Sequence, residues 1–314
     1  MVPKVSLPDG PVLLDGGMGQ ELYSRAGGDV GNLWSGQVLI DRAELVQEVH
    51  EDFIHAGAQI ITTNTYMLGR SKLEKAGLGH EFEAVNIKAG QLACQAREKS
   101  NTNVQIAGAL PPLSGSFRPD LVAPINLIEP MYSEQAEILA PYVDLFLCET
   151  MSSAQEAVAA VAGAAKFGKP IWVSWTLQDN GSKVLRSGES LAKAHDALKG
   201  QPVSAFLVNC CSPESVSAAI PELVSLSDCP VGGLANGFKE IPIDWVSSDK
   251  IEVLGRREDL NEINYAFHVK NWIASGARLV GGCCEIGPKH IAHLRQVLDE
   301  QRFPIRSHSI TESV

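Results

Sequence analysis

Residues 278–284 read RLVGGCC, a short apolar run that ends in two glycines and two adjacent cysteines. A run of this length and composition predicts a buried β-strand. Neighbouring side chains of a strand point to opposite faces, so Cys283 and Cys284 can act together only where the strand geometry has ended. The two glycines before them supply the backbone freedom for that ending.

Seven similar runs precede this one, and stretches with helical spacing of apolar residues lie between most of them. The predicted strands are 11–17, 59–66, 104–110, 143–150, 170–177, 205–210, 229–235 and 278–284. The predicted helices are 42–57, 83–98, 133–142, 154–168, 190–200, 214–226, 260–276 and 287–301. This alternation predicts the α/β class and a single (β/α)8 TIM barrel.

An open, doubly wound parallel sheet is the alternative architecture. That fold usually carries a glycine-rich phosphate loop after its first strand, and residues 16–20, GGMGQ, do not fit its fingerprint. The chain shows neither an interdomain linker nor an internal repeat. We therefore expect one barrel domain over residues 1–301 and a mobile tail over 302–314.

The composition excludes several classes of function. The chain has 314 residues, 45% of them hydrophobic, and a formal net charge of −11. An acidic balance argues against a nucleic-acid or anionic-membrane partner and favours small-molecule substrates. The sequence has neither an 18-residue apolar span nor a signal peptide, so we expect a cytoplasmic protein. It leaves open whether the protein forms a homo-oligomer.

Two of the predicted connections are longer than packing requires. Residues 111–132 follow the third strand and residues 236–259 follow the seventh. Both leave the carboxyl end of the barrel, where enzymes of this architecture place their chemistry. We expect these two segments to cover the site.

Three of the seven cysteines are predicted to meet at that end. Cys210 ends the sixth strand, and Cys283 and Cys284 end the eighth. Three thiolates around Zn2+ leave one tetrahedral position open, which is typical of a catalytic site. Cys211 is expected to point away from Cys210. Two buried small hydrophobes or a strained disulfide are the alternative interpretations of the adjacent pair; Cys94, Cys148 and Cys229 are assigned to the core.

Zinc with three thiolate ligands suits sulfur chemistry better than hydrolysis. The centre carries a formal charge of about −1, which makes it a weak acid toward water and a good holder of a soft thiol ligand. A coordinating thiol loses its proton. The natural reaction of such a centre is alkylation of the bound thiolate.

Motifs along nearly the whole chain resemble the homocysteine S-methyltransferase family, in the expected order. They are DGGMGQEL (15–22), NTY (64–66), CET (148–150), VNC (208–210) and GGCCEIGPKHI (281–291). The family includes betaine-dependent and S-methylmethionine-dependent enzymes and the homocysteine module of cobalamin-dependent methionine synthase. The resemblance implies a (β/α)8 barrel and a catalytic zinc held by Cys210, Cys283 and Cys284.

The resemblance also implies which residues hold homocysteine. Asp15, Gly16 and Glu149 match the family positions that bind the amino acid. A carboxylate at 149 suits the α-ammonium group, and backbone N–H groups around Gly17 suit the carboxylate. Seen alone, Asp15 could equally cap the following helix.

Three further residues are candidates for the site. Asn64 and Asn209 are expected either to orient thiolates and substrate or to serve in turns at strand ends. Tyr66 is a candidate for the pocket wall. His290 and His293, three residues apart on the last predicted helix, are assigned to packing or solvent rather than to a metal.

The expected activity is transfer of a methyl group from a small sulfonium donor, S-methylmethionine or S-adenosylmethionine, to homocysteine, giving methionine. Betaine as donor, and selenocysteine or another thiol as acceptor, are alternatives; a zinc-binding barrel without turnover and a zinc hydrolase rank lower. The chain departs from the usual family pattern at Gln20, 109–119 and 234–238. These segments surround the expected donor pocket.

Overall fold

Eight parallel strands form one sheet in the part of the chain that the structure describes. A computed structural model describes residues 3, 7–28, 30–31, 33–242, 245 and 254–302. The strands are β1 (Val12–Leu13), β2 (Ile60–Thr62), β3 (Gln105–Leu110), β4 (Leu145–Met151), β5 (Ile171–Trp175), β6 (Val203–Asn209), β7 (Val231–Leu234) and β8 (Leu279–Val280).

The sheet closes on itself. Neighbouring strands pair in the order β1-β8-β7-β6-β5-β4-β3-β2. A parallel bridge between Leu14 and Ile60 then joins the two ends of this order. The predicted (β/α)8 barrel is therefore confirmed.

Helices lie between the strands and are α1 (Met18–Arg25), α2 (Ser35–Asp41), α3 (Ala43–His55), α4 (Arg70–Lys75), α5 (Phe82–Ser100), α6 (Ile125–Leu139), α7 (Ala154–Ala164), α8 (Leu191–Asp196), α9 (Pro213–Leu226), α10 (Glu262–Ala274) and α11 (Pro288–Arg302). Side chains of Ser153, Ser190, Ser212 and Asn261 cap α7, α8, α9 and α10 by accepting from backbone N–H groups. Such caps satisfy N–H groups that have no partner inside the helix. Within the described residues, no helix is long and apolar enough to cross a membrane.

Alternate strand residues supply two separate cores. Val12, Leu14 and Trp172 belong to a cluster inside the barrel, whereas Leu13 and Val173 pack in the larger layer between strands and helices. This is the period-two alternation of a strand buried on both faces. Packing on both faces holds the strands in place, and their carboxyl ends form the rim at which the site lies.

The helix predictions were incomplete at three places and wrong at one. The sequence analysis missed α1, α2 and α4, which have only six to eight residues each. It began α6 at residue 133. The helix begins at Ile125 and contains Pro130, and buried Ile128 and Tyr132 anchor that first half. The predicted tail lies outside the described residues except for Arg302, which ends α11.

Candidate metal and substrate site

Cys210, Cys283 and Cys284 come together at the carboxyl rim of the barrel, as the sequence predicted. Their three sulfur atoms all lie within 4.8 Å of one another. Cys210 follows β6, and the other two lie three and four residues beyond β8. Since both cysteine pairs lie past the ends of their strands, the strand alternation no longer dictates where their side chains point.

The backbone around the cysteines departs from strand geometry. Cys210 has a φ of 51° and Glu285 a φ of 66°, which is the left-handed region that non-glycine residues rarely adopt. The Cys210 N–H donates to the Leu234 carbonyl oxygen at 3.0 Å, and the Cys283 N–H donates to the Ala235 oxygen at 2.9 Å. The end of β7 therefore holds both cysteine segments in place.

The predicted glycines Gly16 and Gly17 support the loop that carries Cys283. A Cβ on Gly16 would lie 2.0 Å from the Ile286 carbonyl oxygen, and one on Gly17 would lie 2.5 Å from the Cys283 carbonyl oxygen. The Gly17 N–H donates to the Ile286 oxygen at 2.9 Å, so it already has an acceptor within the chain. The contact of these glycines with substrate stays a prediction, while their steric role is clear.

The three thiols form a set of ligands that fits a metal ion. Hydrogen bonds from the Cys210 and Cys284 thiols hold the pKa of Cys283 well below its usual value, and the same interaction with Cys283 raises the pKa of Cys210. A bound cation would favour ionisation of all three thiols together, because coordinating thiols are deprotonated. Tetrahedral coordination at about 2.3 Å places sulfurs roughly 3.8 Å apart, which this cluster can satisfy with small adjustments.

Both long connections cover the cysteines, as expected. An apolar cluster contains Phe117 from the connection after β3 and four side chains from the connection after β7, and Cys210 belongs to the same cluster. The four are Phe238, Ile241, Trp245 and Leu254. Cys283 and Cys284 pack against this cluster, so it limits the access of water to the sulfurs. Residues 243–244 and 246–253 of the second connection lie outside the described residues.

Asp15 is buried at the carboxyl end of β1. Its carboxylate accepts from the Thr62 backbone N–H at 2.6 Å and from the Thr62 hydroxyl at 3.0 Å. Burial raises the pKa of Asp15 to about 7, although the Thr62 hydrogen bonds act in the opposite direction. The structure therefore gives Asp15 a position beside the cysteines rather than the alternative role of helix cap, because α1 has no side-chain cap.

Glu149 is the second acidic residue of the site. Burial raises the pKa of Glu149 well above its usual value, and the negative charges of Cys283 and Asp15 raise it further. Cys283, Asp15 and Glu149 repel one another, so the group favours positive charge, of which Lys72 supplies part by lowering the pKa of Glu149. A metal ion and an ammonium group would both relieve that repulsion.

A hydrogen-bonded pair positions the segment next to Glu149. Asn209 accepts from the Thr150 N–H and donates to the Thr150 hydroxyl, both at 2.9 Å. It also donates to Cys283, which helps to keep the pKa of that thiol low. Thr150 has a φ of 59°, a strained conformation for a β-branched residue. Asn209 thus links the carboxylate strand to the cysteines.

Tyr66 lies beside the same acidic groups. Its hydroxyl forms a 2.7 Å hydrogen bond with the Ser116 hydroxyl. Burial raises the pKa of Tyr66 well above 10, and the charges of Cys210 and Glu149 add to that effect. Lys72 donates to the Tyr66 carbonyl oxygen at 2.9 Å, and burial lowers its pKa to about 8.

Contacts within the fold account for three other residues singled out in the sequence, namely Asn64, Cys211 and His290. The Asn64 amide donates to the Ser35 carbonyl oxygen at 3.0 Å, which ties β2 to α2. Cys211 packs in the outer core, and burial raises its pKa to about 12, so it does point away from Cys210. His290 is buried, with Nε2 3.2 Å from the Leu260 carbonyl oxygen. These contacts are those of packing.

Sequence reasoning missed Thr62, Thr150, Lys72 and the ion pair between Asp179 and Arg186. Thr150 belongs to the recognised CET motif and Thr62 lies two residues before the NTY motif, so their neighbourhood was a usable signal. Lys72 and the ion pair lie in short helices and connections with no periodicity. No pattern in the sequence distinguishes them from surface charges.

Comparison with known proteins agrees with this geometry. A protein-family model described as homocysteine S-methyltransferase matches residues 12–298. The Escherichia coli homocysteine S-methyltransferase is 29% identical over 300 residues, covering 90% of this chain and 94% of that protein. Homocysteine S-methyltransferase 3 of Zea mays is 28% identical, with 94% and 92% covered.

Solved structures give the same result. The metallated form of the homocysteine methyltransferase MmuM from Escherichia coli superimposes with a TM-score of 0.77 at 29% identity, covering 92% of this chain and 96% of that one. The resemblance found in the sequence is therefore confirmed. The protein is an enzyme, and the chain belongs to the homocysteine S-methyltransferase family.

Proposed function

We propose that this enzyme transfers a methyl group from a small sulfonium donor, S-methylmethionine or S-adenosylmethionine, to the thiol of homocysteine, and that it uses zinc. The observation that carries the proposal is the set of three sulfurs within 4.8 Å, beside the buried carboxyl group of Asp15 and the partly buried carboxyl group of Glu149. Cys210, Cys283 and Cys284 would hold Zn2+ and leave one position open. When bound, the zinc would keep the substrate sulfur as a thiolate at neutral pH.

The chain's own residues would bind and orient the amino-acid part of homocysteine. The carboxylate of Glu149 suits the α-ammonium group, because an ammonium ion offsets the desolvation and the charge repulsion that together raise the pKa of this carboxyl. Asp15, fixed by its two hydrogen bonds from Thr62, adds negative charge on the same side. The apolar cover keeps the thiolate desolvated and therefore reactive.

The negative character of the site favours a cationic donor. The thiolate attacks a methyl group of the sulfonium, a new S–C bond forms, and the electron pair of the broken C–S bond goes to the donor sulfur. The leaving group departs as a neutral thioether, so no acid is required to protonate it. The homocysteine proton is released when the thiol binds.

The first experiment measures methionine formation by zinc-loaded protein with S-methylmethionine, S-adenosylmethionine and betaine in parallel, with metal content determined on the same sample. We expect one zinc per chain and turnover with a sulfonium. The variant Cys284→Ser should lose both zinc and turnover. Cys229 lies outside the cluster, so Cys229→Ser should keep both. Betaine as the preferred donor, or turnover without metal, would contradict the proposal.

A second acceptor has a specific observation in its favour. The selenocysteine Se-methyltransferase of Brassica oleracea var. italica is 25% identical to this chain, covering 96% of it. We therefore propose selenocysteine as the competing acceptor. Competition between equal concentrations of homocysteine and selenocysteine, followed by product analysis, decides between them.

A further inference from the structure

An ion pair in the connection after β5 is almost completely removed from water. Arg186 Nη2 lies 2.9 Å from Asp179 Oδ2, and the two side chains are only 4% and 3% exposed. Asp179 also accepts from the backbone N–H groups of Ser212 at 2.7 Å and Ile241 at 3.0 Å. The carboxylate thus accepts three hydrogen bonds within the chain, and it holds the guanidinium in one place.

Arg186 has more donors than these contacts use. Its Nη1 donates to the Ile241 carbonyl oxygen at 3.0 Å, and Nη2 donates to Asp179. Nε is buried and has no acceptor in the part of the chain that the structure describes. A guanidinium carries five N–H groups, so donors remain for a ligand. A buried N–H group without an acceptor is unfavourable, so a ligand that accepts from Nε would account for it.

Arg186 lines a small cavity next to the connection after β3. The cavity measures about 250 Å3, and its walls are formed by Phe117, Pro119, Asp120, Gln178 and Arg186. This volume is slightly below the range of about 300–1,000 Å3 that drug-sized ligands occupy. A ligand of the size of an amino acid is therefore appropriate.

Phe117 connects the cavity to the site. The Arg186 guanidinium carbon lies 5.2 Å from the centre of the Phe117 ring. Phe117 belongs to the apolar cluster that contains Cys210 and against which Cys283 and Cys284 pack. Its φ of 63° is a strained value for a bulky residue, and such strain clusters at ligand sites. One side chain thus borders both the cavity and the thiol cluster.

The polar groups of the cavity match an α-amino acid. Arg186 and the Gln178 amide can donate to a carboxylate, and arginine is suited to that planar group. Asp120 can accept from an ammonium group; it already accepts from Arg118, but a carboxylate offers about four acceptor positions. Arg186 and Gln178 thus offer donors to a carboxylate, and Asp120, which is largely exposed and pairs with Arg118, offers an acceptor to an ammonium group beside an aromatic wall.

We propose that Arg186 is a specificity-determining residue that binds the carboxylate of the methyl donor, with Gln178 beside it and Asp120 at the donor's ammonium group. The inference rests on the proposed function and deepens it, because it restricts the donor to sulfonium compounds with an α-amino-acid end. The sulfonium of such a donor would extend past Phe117 toward the cysteines. Homocysteine would keep its separate contacts at Asp15 and Glu149.

The test compares two donors that differ in the amino-acid end. S-Methylmethionine carries it, and the trimethylsulfonium ion has the same reactive methyl groups without it. For Arg186→Met we expect KM for S-methylmethionine to rise about 10- to 100-fold, which is the loss of one charge-assisted hydrogen-bonding partner. The constants for trimethylsulfonium and the KM for homocysteine should change less than about twofold on the same grounds.

Milder and matched variants accompany this change. Arg186→Lys should give an intermediate KM, because the positive charge remains but the planar set of guanidinium N–H donors is lost. Gln178→Leu and Asp120→Asn should show the same donor dependence if Arg186→Met does not fold. Arg97→Met serves as control, because Arg97 pairs with Asp144 at the opposite end of the barrel.

Equal losses for both donors, an unchanged KM, or a loss confined to homocysteine would overturn the assignment. Calorimetric binding of S-methylmethionine to wild type and to Arg186→Lys separates this inference from the proposed function. Binding that depends on Arg186 without methionine formation would retain the inference and reject the function. Methionine formation from another donor, with no binding of S-methylmethionine, would retain the function and reject the inference.

Discussion

At the level of single residues, the unusual feature of this molecule is a pair of carboxyl groups, Asp15 and Glu149, that lies beside the cluster of thiols; Lys72 is a nearby cation that lowers the pKa of Glu149. Asp15 and Glu149 are held near the Cys283 thiolate, and burial raises the pKa of both. The sequence indicated Glu149, because an acidic residue at the end of an apolar run at the catalytic rim is exceptional. It did not indicate that Asn209 and Thr150 would fix the neighbouring backbone.

Replacing Glu149 tests its assignment to the ammonium group. We expect Glu149→Gln to lower kcat/KM for homocysteine about 100-fold, or roughly 2.8 kcal/mol, because a charge-assisted hydrogen bond is lost. Zinc content should stay at the wild-type value, since Glu149 is not among the clustered ligands. Retained homocysteine affinity, measured by calorimetry, would remove Glu149 from the substrate site.

Asp15 should make the ligand-free protein less stable as the pH rises. Its pKa is about 7 in the fold and 3.8 in the ordinary state, so between these values the folded protein holds a proton that the unfolded chain has released. The free energy of unfolding therefore falls through this interval. Asp15→Asn should remove about 1–3 kcal/mol of that fall between pH 5 and 8, measured by urea unfolding of metal-free protein. Parallel pH profiles for variant and wild type would show that the carboxyl is ionised throughout.

Close contact between two turns is the decisive feature at the level of elements. The turn after β1 packs against the turn after β8, and the glycines of the first turn leave no room for a side chain. The pattern of strands and glycines suggested turns at both places. A closed barrel makes β1 and β8 neighbours, but the pattern could not show that these two turns pack so closely that a Cβ has no room.

Adding one methyl group to this contact should disturb the metal site. Gly17→Ala would place Cβ 2.5 Å from the Cys283 carbonyl oxygen and shift the loop that carries two ligands. We expect a loss of about 1–3 kcal/mol in the free energy of unfolding, as for overpacked sites, together with weaker zinc binding. Chelator competition measures the zinc affinity.

Gly69→Ala is the matched control for this change. Gly69 has a φ of −65°, and a Cβ there would meet only Leu113 at 3.9 Å. The control should bind zinc as the wild type does. Equal zinc affinity in both alanine variants would show that the two turns move independently.

At the level of the whole molecule, backbone pairing between strands closes the barrel, and the side chains of the three clustered cysteines take no part in that closure. The Leu14–Ile60 bridge completes the sheet, and both cores are formed by apolar side chains. The acidic net charge of −11 and the negative site agree with a small cationic donor. A cytoplasmic location and the mobile tail stay predictions from the sequence.

Metal removal should therefore leave the fold in place. With a chelator we expect an unchanged far-UV circular dichroism spectrum at 25 °C and a lower Tm. Metal that binds only the folded state at 100 times its Kd adds ~2.7 kcal/mol, which corresponds to about 5 °C for a protein of this size. Unfolding on chelation would mean that the cysteines are structural ligands, as in small zinc domains.

The sequence by itself determined the barrel and the clustering of three cysteines at its rim. Strand alternation and helical periodicity are local properties, and parallel strands bring all their carboxyl ends to one rim. For that reason Cys210 could be matched with Cys283 and Cys284 across a large sequence separation. The family motifs added Asp15 and Glu149.

The tertiary structure alone decided how these groups interact. Side chains and backbone groups that are distant in sequence surround these residues. They set the pKa values of Asp15 and Glu149, hold Thr150 at its strained φ, and leave the buried Nε of Arg186 without an acceptor among the described residues. Burial and charge interaction are sums over neighbours in space, and no local pattern encodes them. The same reason explains why Pro130 stays inside α6: the packing of Ile128 and Tyr132 outweighs a local preference.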